Sequence, residues 1–160
     1  MDTSSVPAQP ATSAPARSSR SWWWSGALVA GDALSFLAFA AAGRQQHSVS
    51  AGPGALGALG ATALTALPFA LGWFLVAPWL GAFRRSLFES PWRMLRRTEL
   101  AWLCAWPVTV LLRALFVQDH ISLGSRATFA VVILIANALF LGVWRTLFAL
   151  LARFVARSAR

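Results

Sequence analysis

Few residues in this chain combine a reactive side chain with a setting that would make it useful. The first is Asp32, an acid inside the apolar stretch WWWSGALVAGDALSFLAFAAAGR, Trp22 to Arg44. A carboxylate at mid-membrane depth is expensive and is seldom left facing lipid. Counting inward at ~1.5 Å per helical residue brings Thr65, Thr109 and Asn137 to a similar depth, one from each of three later apolar stretches. Arg113 lies nearer one end, with a side chain long enough to be considered as the partner of Asp32. Two chemistries fit this polar cluster. One is a packing clasp, in which an ion pair and hydrogen bonds hold helices together. The other is a proton or solute site, which intramembrane acids often mark.

A second set comprises Arg44, His47, Asp119 and His120, on two short connections expected at the outer face. Two imidazoles and a carboxylate can hold Zn²⁺ with an open position. Neither histidine belongs to a recognised ligand spacing, however, so no metal and no cofactor is assigned. Gly-x-Ser-x-Gly, His-Glu-x-x-His, phosphate-loop and paired-cysteine patterns are all absent from the sequence. An enzyme is therefore not the favoured reading, and a lipid-modifying site of Arg and His is kept only as an alternative. The one cysteine, Cys104, lies in an apolar run and excludes an internal disulfide.

These residues must be positioned by membrane helices. Of 160 residues, 58% are hydrophobic and 12% charged, about half the charged share of a soluble domain. The formal charge of +9 comes from arginine alone, without any lysine. The arginines mostly sit where apolar runs end, which favours topology-setting charge over a nucleic-acid surface. Four stretches are long enough to span a bilayer: 22–44, about 57–82, about 100–117 and about 127–146. Pro68, Pro78 and Pro107 fall within them, as membrane helices tolerate when neighbours satisfy the freed carbonyls.

The predicted fold is an all-α, polytopic four-helix membrane bundle at 22–147. A disordered Ser/Pro/Ala-rich tail precedes it at 1–21, and a basic amphipathic end follows at 148–160. Arg84, Arg85, Arg93, Arg96 and Arg97 crowd the middle connection, and Arg153 and Arg157 the C-terminal end. Both termini are thus expected in the cytoplasm, with these arginines on anionic headgroups. Trp22, Trp23, Trp24, Trp79, Trp92, Trp102 and Trp144 are expected near that same interface. Small residues line one face of the first span (Gly31, Ser35, Ala38, Ala42) and of the second (Gly57, Ala61, Thr65, Pro68, Gly72), which suits close helix approach.

The order Asp32, Gly43-Arg44-Gln45-Gln46-His47, Pro68-Phe69-Ala70-Leu71-Gly72-Trp73, Trp102, Pro107, Arg113 and Trp144-Arg145 resembles an uncharacterised bacterial membrane family, domain of unknown function 3054. The resemblance covers roughly residues 25–147. It implies a compact four-span protein of a bacterial cytoplasmic membrane and adds no reaction. The functional expectation is a structural or accessory bundle that binds lipid, itself or a membrane partner. A small transporter or proton-coupled carrier using Asp32 and Arg113 is the rival.

Overall fold

A computed structural model describes residues 19–46, 54–116 and 123–158. The described residues form four long helices: α1 (Ser19–Gln46), α2 (Gly54–Val76), α3 (Pro91–Phe116) and α4 (Leu123–Ser158). A short 3₁₀ turn, Arg85–Glu89, precedes α3. All four helices are long and apolar enough to cross a membrane. Their large apolar side chains point outward along the whole length, as with Leu34, Leu75, Leu103 and Leu139. Such a surface suits hydrocarbon and not water, so the chain is a multi-pass membrane protein built as a four-helix bundle.

Each helix packs on its neighbours around a ring, α1 on α2 and α4, and α3 on α2 and α4. Aromatic side chains fill the centre, with Phe36 and Trp73 both against Trp102 at 5.9 and 6.4 Å between ring centroids. Trp102 and Trp106, one turn apart on α3, donate their indole N–H groups to the carbonyls of Leu134 and Ala130 on α4, at 2.9 and 2.8 Å. An indole N–H placed in an apolar core needs such an acceptor. Trp102 is therefore a core residue, contrary to its expected place in the interfacial belt. Trp23, Trp79 and Trp92 do stand exposed.

The end of α2 decides the shape of the interior. The second span was expected to reach residue 82, but the helix stops at Val76. Pro78 cannot donate to the ladder and disfavours helical backbone just before it. Gly81, at φ 67°, takes a left-handed conformation that a side chain would resist. Its N–H donates to the Pro78 carbonyl, and that of Ala82 to the Ala77 carbonyl, at 2.9 and 3.1 Å, so the chain turns back inward. Ala77 and Ala82 are fully buried as a result. Ser90 then caps α3, its Oγ accepting from the Arg93 N–H at 3.4 Å, with Pro91 as the first helical residue.

Two other boundaries move. Arg93, Arg96 and Arg97 belong to the first turns of α3 and not to a loop, and α1 reaches back to Ser19, into the stretch expected to be disordered. The remainder of that tail lies outside the described residues. The C-terminal end continues α4 without a break to Ser158, as its helical spacing suggested. A small cluster of Leu28, Leu87, Met94, Phe148 and Ala149 ties the start of α1, the 3₁₀ turn, the start of α3 and the end of α4 together. Arg84, Arg85, Arg93, Arg96, Arg97, Arg153 and Arg157 thereby share one end of the bundle, the basic end.

Candidate functional site

Asp32 is fully buried, as expected, but its partner is Arg145. The guanidinium of Arg145 donates Nε to Oδ1 at 2.9 Å and Nη2 to Oδ2 at 2.5 Å, a bidentate pair. Trp73 Nε1 donates to Oδ2 at 3.0 Å. The remaining guanidinium nitrogen, Nη1, donates to the Ala82 carbonyl at 2.6 Å, which the reversal after α2 delivers to this spot. The cation also lies over the rings of Trp73 and Phe83, 4.9 and 4.6 Å from their centroids. Both carboxylate oxygens accept and all three guanidinium nitrogens donate, inside a fully covered site.

The small-residue face of α1 makes this approach possible. Trp144 packs so closely on Gly31 that a Cβ there would sit 1.9 Å from its ring. Gly31-Asp32 on α1 thus meets Trp144-Arg145 on α4, a void against a large ring beside an acid against a base. Ser35 is buried on the same face and returns its hydroxyl to the Gly31 carbonyl at 2.9 Å, whereas Ala38 and Ala42 are exposed. On α2, Gly72 does the equivalent work: a Cβ there would come within 2.2 Å of Thr109 Oγ1 on α3.

The other members of the expected cluster do not meet at Asp32. Thr109 is buried against Gly72. Asn137 is buried on α4, where its Nδ2 donates to the Ile133 carbonyl at 3.1 Å. Neither Thr109 Oγ1 nor Asn137 Oδ1 has a hydrogen-bond partner among the described residues. Thr65 donates to the Ala61 carbonyl of its own helix at 2.9 Å. Arg113 lies over the Phe129 ring, 5.3 Å from its centroid, near the end of α3. Asp32 is roughly 21 Å along α1 from the corresponding end of the bundle and Arg113 roughly 4.5 Å along α3, a gap that no arginine side chain closes. Arg113 is not the partner of Asp32.

Of the outer-face set, His47, Asp119 and His120 lie outside the described residues, so that grouping rests on sequence alone. Arg44 is described, in the last turn of α1. It lines a cavity of about 1270 Å³ at the end of the bundle opposite the basic end, together with Arg113 and Thr65.

Arg145 is the partner of Asp32 that the sequence pattern left at a span boundary. One signal pointed to it. The apolar pattern of Leu147, Leu150, Leu151 and Phe154 continues beyond it at helical spacing, and α4 runs on unbroken to Ser158.

A family profile described as "Protein of unknown function (DUF3054)" matches residues 29–148, the stretch that carries Asp32, Trp73 and Arg145. No curated protein and no solved structure matches the chain.

Proposed function

We propose that this chain, which belongs to the DUF3054 family of proteins of unknown function, is an accessory membrane bundle, clasped by Asp32 and Arg145, that engages lipid or another membrane protein and moves no solute through its core. The saturation of the pair carries this reading. Every carboxylate oxygen and every guanidinium nitrogen already has a protein partner, with neither residue exposed. A carrier site must exchange partners with its cargo, and these groups have none to give up without breaking α1 from α4 and from the turn after α2. Buried polar groups that are completely paired act as fasteners in a solvent that offers no replacement bonds.

The arginines gathered at the basic end support an orientation with both termini in the cytoplasm and that end among anionic headgroups. The family resemblance supports a bacterial cytoplasmic membrane as the location.

Proteoliposomes test the role. Protein-containing vesicles should leak protons and potassium at the rate of protein-free vesicles, with or without Asp32→Asn. A pH-driven flux in the wild type that disappears in a folded Asp32→Asn variant would replace the accessory role with a carrier.

A further inference from the structure

At the opposite end of the bundle from the basic arginines, a charged donor has no acceptor among the described residues. Arg44 Nη2 is buried and has no hydrogen-bond partner among the described residues. Leaving a cationic N–H in an apolar wall without an acceptor is costly, so the position favours an anion. Arg44 opens onto the cavity that Arg113 also lines, and no carboxylate is among the described lining residues. Thr65 and Thr128, on the same wall, already donate their hydroxyl protons to the carbonyls of Ala61 and Gly124, at 2.9 and 3.1 Å. The guanidinium of Arg44 is therefore a buried donor that the cavity presents without an acceptor among the described residues.

The rest of the lining is hydrocarbon and aromatic, including Phe39, Leu64, Phe69, Phe116 and Phe129. At about 1270 Å³ the space exceeds the 300–1,000 Å³ of a drug-sized ligand site. The Arg44 cation beside an apolar cavity of this size matches a molecule with one anionic head and a hydrocarbon tail. Guanidinium groups suit a phosphate head, which they bind through paired N–H bonds.

We infer that this cavity binds an anionic phospholipid, its phosphate on Arg44 and an acyl chain against Phe39, Phe69 and Phe129. The site is separable from the clasp: an Asp32-dependent flux would overturn the accessory role and leave lipid binding here untouched.

The test is native mass spectrometry of the full chain from nanodiscs containing dioleoylphosphatidylglycerol and dioleoylphosphatidylcholine in equal amounts, with and without added inorganic phosphate. One tightly retained phosphatidylglycerol, not displaced by phosphate, is the expected result. Arg44→Gln should reduce its retention about tenfold or more, the usual effect of losing a charged hydrogen bond. Arg44→Lys should keep most of it. Gly43→Leu supplies a second variant, because a Cβ at Gly43 meets nothing within 4 Å while the residue lines the cavity, and circular dichroism checks its fold. It should expel the lipid with helicity intact. Equal retention of the two lipids, displacement by phosphate alone, or retention unaffected by both Arg44→Gln and Gly43→Leu would overturn the proposal.

Discussion

Replacing Gly31 by alanine adds one methyl group at the tightest contact between α1 and α4. The new Cβ would lie 1.9 and 2.0 Å from two atoms of the Trp144 ring, where ordinary contact needs 3.4–4 Å. The indole must retreat by roughly 1.5 Å, and it is itself packed on Phe148, at 5.7 Å between ring centroids. Overfilling of this kind costs about 1–3 kcal/mol. The retreat also drags the adjacent Arg145 from Asp32, and a strained charged hydrogen bond forfeits about 1.5–3 kcal/mol. Better helix propensity returns about 1 kcal/mol, so the net loss should be about 1.5–5 kcal/mol. In a chain of this size that lowers Tm by about 3–20 °C. Circular dichroism melts in mild detergent, with SDS titration as the equilibrium counterpart, read the loss. In a Trp144→Leu background the same substitution should cost much less, because the ring it strikes is gone. An unchanged Tm, or an equal loss in both backgrounds, would refute the reasoning.

Other substitutions sort by what surrounds them. Gly72→Ala should destabilise by about 1–3 kcal/mol in the same assay, since its Cβ meets Thr109 Oγ1 at 2.2 Å and the α3 backbone at 3.0 Å. Gly60→Ala should be neutral or stabilise by up to about 1 kcal/mol, because nothing lies within 4 Å of its Cβ. Trp102→Phe removes the N–H that bonds the Leu134 carbonyl and should cost about 1–2 kcal/mol, visible as a lower SDS midpoint. For orientation, a cysteine at Ser158 in a Cys104→Ala background should react with an impermeant maleimide only after cells are opened. Labelling of intact cells would reverse the proposed topology.

The four spans were legible because bilayer length and apolar composition leave little choice, and Asp32 stood out because an acid there demands shelter. The small face of α1 was legible at Gly31 and Ser35. The partner of Asp32 was not. Depth counted from span ends assumes that spans end where charges appear, and α4 carries Arg145 through its interior and continues to Ser158. The inward reversal at Gly81, which brings the Ala82 carbonyl to Arg145, is a tertiary event that composition cannot announce. Trp102 misled for a related reason. Tryptophan is enriched at interfaces because its N–H seeks water, and here a helix carbonyl takes that place. The cavity at Arg44 exists only once four helices surround it.

The pairing of Asp32 with Arg145 is best tested by a double-mutant cycle in SDS titration, using Asp32→Asn, Arg145→Met and both together, with Arg113→Gln as the comparison. Each single change at the clasp strands a buried charge or its acceptors and should cost about 3–5 kcal/mol. Asp32 and Arg145 should couple by more than about 1.5 kcal/mol, the double variant recovering part of the loss, while Asp32 and Arg113 add to within about 0.5 kcal/mol. Coupling of Asp32 to Arg113, with none to Arg145, would contradict the account.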